Sequence, residues 1–231
     1  MNAIITGASK GIGRAIALKL AKNGYNLAIC ARNKIELQAF ATELQPFGIR
    51  VIAVVVDCSI KEEVMSFFNQ VKSEMKQVDI LVNNVGVFLP GNIIDEDDDI
   101  FELQQRLNLN SAYYLSKNFG KMMRDAKSGH IFNICSIASN LVVEDAGSYT
   151  VTKTAMLSLN NVLRKALAEY NVKVTAILPG STLTASWEGT TIPTETFVQP
   201  EDIANSIYSI LNLSSGVNVD ELILTPLKFN N

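Results

Sequence analysis

A tyrosine and a lysine four residues apart offer proton-transfer chemistry. Tyr149 and Lys153 stand at the ends of the run YTVTK, and positions i and i+4 share one face of a helix, about 6 Å apart along its axis. A free tyrosine titrates near pH ~10, but an adjacent ammonium group favours the phenolate. Ser136 precedes the pair at the end of a predicted strand. Taken alone, the pair also fits an ordinary helix face, and Ser136 a strand-end cap.

The first predicted strand runs directly into a glycine-rich loop with the sequence TGASKGIG. Glycine permits a tight turn and lets the backbone approach a pyrophosphate, and the following helix presents N–H groups to the anion. The spacing differs from the G-x-G-x-x-G of many dinucleotide-binding folds, and a plain strand-to-helix turn is the alternative. The contacts expected from this loop to a nucleotide are Gly7, Ser9, Lys10, Gly11, Ile12 and Gly13.

The end of the second predicted strand favours one nicotinamide cofactor over the other. It holds Ala31 and Arg32, where an acidic residue would bind the ribose hydroxyls of NAD. Arg32, with Lys10 from the glycine loop, could pair with the 2′-phosphate of NADP. The alternative is that both are ordinary surface cations. The missing carboxylate favours NADP(H) over NAD(H).

The elements that must position these residues follow a β-α repeat. Apolar, β-rich runs alternate with amphipathic helical stretches, which predicts a parallel sheet with right-handed crossovers and helices on both faces. The predicted strands cover residues 3–6, 26–30, 50–56, 80–83, 130–135, 173–177 and 221–225. We expect one α/β domain over residues 1–231, a doubly wound Rossmann-type fold with a seven-stranded parallel sheet.

Two segments interrupt this repeat. Residues 86–99 end in an acidic cluster at 95–99, which we expect to cap the next helix and face water, with a binding role as the alternative. Residues 181–199 are rich in Thr and Ser and lie between a strand and a helix. A long loop there suits a lid over a substrate.

Composition excludes several classes of protein. The chain has 231 residues, 19% charged residues and a formal net charge of -3, so nucleic acid is a poor partner. No apolar run approaches the ~20 residues that span a bilayer. The three cysteines lie far apart, which argues against disulfides and zinc and favours a reducing, cytoplasmic location. A strand at the N-terminus leaves no room for a signal peptide, and His130, beside Gly129, is expected to be a turn residue.

Taken together, these residues resemble the short-chain dehydrogenase/reductase family over nearly the whole chain. The run NNVG that begins at Asn83 resembles the family's N-N-A-G stretch, with Val85 in place of alanine. The resemblance also assigns an acid after the third strand, a helix asparagine and a P-G-x-x-x-T stretch. The cofactor contacts that it implies are Asp57, Asn83, Gly86, Tyr149, Lys153, Pro179, Gly180, Thr182 and Thr184.

The resemblance implies a catalytic role for four residues. Tyr149 would be the general acid in reduction and the base in oxidation, and Ser136 would bind the substrate oxygen. Lys153 would hold the nicotinamide ribose and stabilise the phenolate. Asn108 would fix a water that links Lys153 to solvent. The expected reaction interconverts a carbonyl and a secondary alcohol.

Substrate and assembly are less defined. The residues after Pro179 resemble those of 3-oxoacyl-carrier-protein reductases, but the C-terminus lacks their V-D-G-G segment and is more like small hydroxy-acid and general carbonyl reductases. A non-catalytic NADP-binding protein is the alternative of another class. The predicted helix over 148–170 carries a broader apolar band than one sheet contact needs, so we expect a homotetramer, with a homodimer as the alternative.

The cofactor preference can be tested by restoring a carboxylate at the end of the second strand. Ala31→Asp should shift preference toward NAD(H), because the new charge repels a 2′-phosphate and accepts the ribose hydroxyls. The measurement is kcat/KM for NADPH and for NADH in both proteins. Equal or better use of NADH by the unmodified protein would contradict the expectation.

Overall fold

Seven parallel strands form one sheet in the computed structural model, which describes residues 1–228. The strands are β1 (Asn2–Thr6), β2 (Asn26–Ala31), β3 (Val51–Val55), β4 (Ile80–Asn83), β5 (Gly129–Ile134), β6 (Val172–Pro179) and β7 (Glu221–Leu224). Their order is β3-β2-β1-β4-β5-β6-β7. The chain reverses direction across the sheet between β1 and β4, which opens a crevice at the carboxyl ends of these strands. The predicted doubly wound parallel fold is confirmed.

Helices cover both faces of the sheet. They are α1 (Gly11–Lys22), α2 (Lys34–Leu44), α3 (Lys61–Glu74), α4 (Asp98–Gln105), α5 (Ser111–Ala126), α6 (Gly147–Leu167) and α7 (Pro200–Leu211). A π-helical turn (Arg106–Asn110) joins α4 to α5, and a 3-10 turn (Ala168–Tyr170) follows α6. Further 3-10 turns are Gln45–Phe47, Ile137–Ser139, Ala185–Trp187 and Thr194–Thr196.

Alternate residues of a strand point to opposite faces of the sheet and pack against the helices on that face. In β1, Ile5 packs with α1, α2 and α7 on one face, whereas Ile4 packs with α3 and α5 on the other. Both faces of the central strands are therefore apolar, as expected for strands covered on both sides. The predicted strand ends differ from the observed ones by at most two residues, and the predicted 148–170 helix is α6 with its 3-10 extension.

Membrane spans, metal sites and cysteine pairing can be examined in the described part of the chain. Within residues 1–228, no helix is long and apolar enough to cross a membrane. The same residues hold no cluster of His, Cys, Asp or Glu suited to a metal ion. The three cysteines are free and buried.

His130 was expected to be a turn residue, and this expectation is wrong. It lies inside β5 with 5% of its surface exposed. Its Nε2 atom is 2.8 Å from the Thr175 hydroxyl of β6, and its ring stacks on Phe132 with 4.0 Å between centroids. Burial lowers the pKa of His130 to about 3, and the charge of Lys173 acts in the same direction. The residue is a neutral member of the core.

The lowered pKa of His130 predicts a loss of stability in acid. An unfolded histidine titrates near ~6.5, so the neutral form contributes stability that is fully present above that pH and is lost as pH falls toward 3. Between pH 7 and pH 5 the free energy of unfolding should fall by about 2 kcal/mol from this group. Urea unfolding of His130→Gln, which cannot titrate, should lack this part of the pH dependence. If the free energy of unfolding has the same pH dependence in both proteins, His130 is not the source of the loss in acid.

Candidate active site

The glycine loop after β1 has a backbone that other residues rarely adopt. Gly7 and Gly11 have φ angles of 65° and 53°, in the left-handed region that favours glycine. A Cβ atom on Gly13 would lie 2.4 Å from the carbonyl oxygen of Gly7. The first turn of α1 contains no acid, and its N-cap residue Lys10 makes no side-chain capping bond. The N–H groups of this helix end are therefore suited to the pyrophosphate of a dinucleotide.

The loop after β4 holds the glycine loop in place. The Asn84 amide donates hydrogen bonds to the carbonyl oxygens of Thr6 at 2.8 Å and Gly7 at 3.1 Å. The Thr6 hydroxyl accepts from the backbone N–H groups of Asn84 and Val85. The Val85 side chain lies 2.9 Å from where a Cβ of Gly7 would stand. Our sequence reasoning did not select Asn84, although it stands in the motif that we quoted.

The side chain of Asn83, a predicted cofactor contact, makes its hydrogen bonds inside the protein. Its amide donates to the Ser116 hydroxyl and to the Asn133 side chain, each at 2.8 Å. The residue is buried. Strand alternation turns it toward α5, away from the glycine loop, because it has the same parity as Leu81 in that core layer. Its side-chain amide is therefore used within the interior, and the contact of Asn83 with a cofactor stays a prediction.

Lys153 and Tyr149 lie on adjacent turns of α6, as the spacing predicts. The Lys153 ammonium nitrogen is 5.7 Å from the centre of the Tyr149 ring and donates to the carbonyl oxygen of Ile134 at 2.9 Å. A Cβ on Gly86 would lie 3.3 Å from this nitrogen and 3.0 Å from Asn108 Oδ1. The structure thus brings Tyr149, Lys153, Asn108 and Gly86 together at the crevice.

Ser136 caps the 3-10 turn that follows β5. Its Oγ accepts from the N–H of Ala138 at 3.1 Å, so the strand-end cap is real. This contact uses only the oxygen as an acceptor, and the O–H hydrogen remains available to donate. The adjoining Ser139 donates to the Lys153 carbonyl oxygen at 2.8 Å, which fixes the turn to α6.

Asn108 lies on the π-helical turn between α4 and α5. Its Oδ1 accepts from Val87 N at 2.7 Å, and its Nδ2 donates to Val87 O at 3.0 Å and to Thr152 Oγ1 at 3.1 Å. Such turns occur frequently at functional sites. The side chain ties the loop after β4 to α6, and the water that it was expected to fix remains a prediction.

The predicted 2′-phosphate ligands have different surroundings. Lys10 forms an ion pair with Glu36 at 2.8 Å, and its pKa is raised by the hydrogen bond and charge of Glu36, with Glu188 adding to the effect. Arg32 is exposed at the end of β2. The pKa of Asp57 is lowered by hydrogen bonds from Ser59 and by the charge of Arg32. Arg32 therefore lies near Asp57, whereas Lys10 already has an anionic partner.

Residues 181–199 fold against the glycine loop. Thr182 forms a parallel bridge with Val198, and its hydroxyl donates to the Gly180 carbonyl at 2.9 Å. The methyl group of Thr184 lies 3.3 Å from where a Cβ of Gly11 would stand. Pro179 is the last residue of β6. The predicted residues of this stretch thus border the nucleotide end of the crevice.

Phe88 is a candidate site residue that our sequence reasoning missed. Its ring meets that of Tyr149 edge to face, with 4.9 Å between centroids, and 44% of its surface is exposed. It therefore gives the crevice an apolar wall beside the phenol. Its position two residues after Gly86 was the available signal.

Known proteins show the same fold. The family described as short chain dehydrogenase matches residues 1–192. An uncharacterized oxidoreductase of Staphylococcus aureus (strain MRSA252) is 33% identical over 226 residues, which are 97% of this chain and 96% of that protein.

Two solved structures are similar over nearly their whole length. An alcohol dehydrogenase from the archaeon Thermococcus sibiricus, complexed with 5-hydroxy-NADP, has a TM-score of 0.91 at 29% identity and covers 100% of this chain and 98% of its own. L-sorbose reductase from Gluconobacter frateurii, complexed with NADPH and L-sorbose, has a TM-score of 0.90 at 28% identity, with coverages of 97% and 95%.

The strand order, the glycine loop and the tyrosine–lysine pair define an oxidoreductase with a Rossmann-type fold. The family match extends over most of the chain, and the relative is similar across nearly its full length. This chain belongs to the short-chain dehydrogenase family.

Proposed function

We propose that this protein is an NADP(H)-dependent oxidoreductase that interconverts a carbonyl group and a secondary alcohol. The observation that carries the proposal is the buried Lys153 ammonium group beside the Tyr149 ring, at the crevice next to the glycine loop. In reduction the Tyr149 hydroxyl donates a proton to the carbonyl oxygen, and in oxidation the phenolate takes it back. A positive charge at Lys153 favours that phenolate.

The remaining residues orient the substrate and the cofactor. The Ser136 hydroxyl donates to the substrate oxygen and stabilises the charge that develops on it. The glycine loop and the first turn of α1 hold the pyrophosphate. The nicotinamide, when bound, supplies or accepts the hydride. We further propose that residues 181–199, which border the nucleotide end, act as the substrate lid.

The choice of NADP(H) rests on the end of β2. Ala31 leaves no carboxylate there to bind ribose hydroxyls or to repel a phosphate. Arg32 is exposed near Asp57, at the strand end where a 2′-phosphate would lie. Since Lys10 is paired with Glu36, Arg32 would carry most of the charge recognition. The complexes of the two similar structures with an NADP derivative and NADPH support this choice.

The rim of the crevice argues for a substrate without negative charge. The segments that follow β4, β5 and β6, residues 84–97, 135–146 and 180–199, contain neither lysine nor arginine. Their exposed acidic residues are Asp95, Asp97, Glu144, Asp145, Glu188 and Glu195. An acidic rim raises the local concentration of neutral and cationic ligands relative to anions. A neutral carbonyl compound therefore fits better than a hydroxy acid or a 3-oxoacyl group on a phosphate-bearing carrier.

Phe88 and the similar structures agree with that substrate class. The exposed edge of Phe88 can contact the apolar part of a ketone while Tyr149 binds its oxygen. L-sorbose, bound to the similar reductase, is an uncharged sugar. General carbonyl reduction is therefore favoured over the two acidic alternatives.

We also propose that the chain forms a homo-oligomer through α5 and α6. Val151 and Val162 of α6 are 46% and 61% exposed, and Tyr113 of α5 is also exposed. Apolar groups on neighbouring helices suit an isologous contact about a two-fold axis, from which a tetramer can be built.

The mechanism predicts a selective loss in Tyr149→Phe. The ring remains packed against Phe88 and only the hydroxyl is removed, so NADPH affinity should change little. Turnover of a neutral ketone should fall by a factor of about 10²–10⁴, which is the usual contribution of general acid catalysis. Tyr208→Phe, on α7 beside Lys19 and away from the crevice, is the matched control. Near-normal turnover in Tyr149→Phe would contradict its role as proton donor, and the tyrosine–lysine pair would then be an ordinary helix face.

The acidic rim predicts that salt affects kcat/KM for a charged substrate but not for a matched neutral one. At low ionic strength, kcat/KM for a 2-oxo acid should be roughly tenfold below that for the neutral ketone of the same shape, and added salt should raise it by screening the repulsion. The value for the neutral ketone should stay nearly constant. A 2-oxo acid that is preferred at low salt would contradict the proposed substrate class.

A further inference from the structure

The segment that carries Phe88 is attached to the turn before α6 by its backbone. Gly91 N donates to the Asp145 carbonyl at 2.8 Å, and Gly147 N donates to the Gly91 carbonyl at 3.2 Å. Gly91 thereby pairs with Ala146 in a short parallel bridge. A Cβ on Gly147 would lie 2.6 Å from Ile93 Cβ, so the two segments are in direct contact.

A side-chain contact reinforces this attachment. The Ser148 hydroxyl donates to Glu96 Oε1, and Ser148 is only 1% exposed. The second carboxylate oxygen, Oε2, is buried and makes no hydrogen bond to any side chain or backbone group within residues 1–228. The backbone of Glu96 is fixed as well, since its N–H donates to Asn92 O at 2.9 Å. Glu96 therefore differs from Asp95, Asp97, Asp98 and Asp99, which are exposed.

The helix that receives this carboxylate lacks a cap of its own. The N-cap residue of α6 is Ala146, which makes no side-chain capping bond, and the first turn of α6 contains no acid. A helix N-terminus is stabilised by an acceptor or a negative charge. Glu96 supplies a negative charge there from another segment, and its carboxylate accepts from the Ser148 hydroxyl. Tyr149, the proposed proton donor, is the next residue after Ser148 in this first turn.

We propose that Glu96 and Ser148 form a latch that fixes residues 86–99 to the start of α6 and so holds Tyr149 and Phe88 in their catalytic arrangement. Glu96 is a positioning residue, since its recorded contacts are with Ser148, Asn92 and Gly91. The inference rests on the proposed function for its effect on turnover. Its structural part, the docking of residues 86–99, can be measured without any substrate.

The latch predicts a loss of turnover without a loss of cofactor binding. With a neutral ketone, Glu96→Ala and Ser148→Ala should each lower kcat by about 10- to 100-fold, the range expected when a reacting group is displaced by about 1 Å. The Kd of NADPH should stay within about twofold, because neither residue contacts the glycine loop. Glu96→Gln retains an oxygen for Ser148 and should recover most of the activity. Asp99→Ala, an exposed acid in the same cluster, is the matched control.

A double-mutant cycle tests whether the two residues act as one unit. Glu96→Ala with Ser148→Ala should be no slower than the slower single variant, because the second substitution removes a contact already lost. Multiplying losses would overturn the latch. Should Glu96→Ala fail to fold, Ser148→Ala should still lose turnover while Glu96→Gln keeps most of it, and normal turnover in Ser148→Ala would overturn the latch.

Hydrogen exchange separates failure of the latch from failure of the proposed function. The amides of Gly91 and Gly147 should exchange faster in Glu96→Ala than in Asp99→Ala, while amides of β4 and β5 keep their protection. If the parent protein is active, and Glu96→Ala has the same kcat and the same exchange rates, the latch is overturned and the proposed function stands. A parent that reduces no ketone, with the exchange difference present, would overturn the proposed function and leave the docking contact intact.

Discussion

Lys153 keeps its ammonium group almost entirely out of water, with 4% of its surface exposed and one carbonyl oxygen, that of Ile134, at 2.9 Å. A buried charge is costly unless polar groups surround it. Several segments of the chain meet around the Lys153 ammonium group in the crevice. Ile134 ends β5, Asn108 approaches from the π-helical turn, and Gly86 leaves room because it has no side chain. The position of this ammonium group therefore requires three separate segments to be correctly placed.

A chain of buried amides sets α6 against the sheet. Asn83 of β4 donates to Asn133 of β5 at 2.8 Å, and Asn133 donates to Asn160 of α6 at 2.9 Å. Buried polar groups have strict geometric demands, because an unmade hydrogen bond in the interior is expensive. Asn160 lies two turns after Lys153 on the same helix. The amide chain thus fixes the rotation and height of α6, which in turn places the tyrosine and the lysine beside the crevice.

Much of the fold and part of the candidate site could be predicted from the sequence because they depend on local pattern. Apolar runs located the strands to within two residues, and the spacing of Tyr149 and Lys153 placed both on one helix face. Contacts that join distant segments could not be predicted. Neither the Lys10–Glu36 pair nor the Glu96–Ser148 contact has a local signature. His130 was wrongly expected in a turn, because its burial depends on its contact with Thr175 of the neighbouring strand β6.

Charge is distributed unevenly along the crevice, and this asymmetry sorts its ligands. At the nucleotide end, Arg32 and the uncapped start of α1 are suited to an anion, since Lys10 is paired with Glu36, whereas the rim segments after β4 and β5 carry acids and no lysine or arginine. A phosphate-rich cofactor is attracted to the first end and repelled by the second, which orients it before contact. A substrate that carries its own phosphate group would have to place that group beside the acidic residues of the rim. The proposed restriction of the substrate to carbonyl compounds without such a group rests on this same charge distribution.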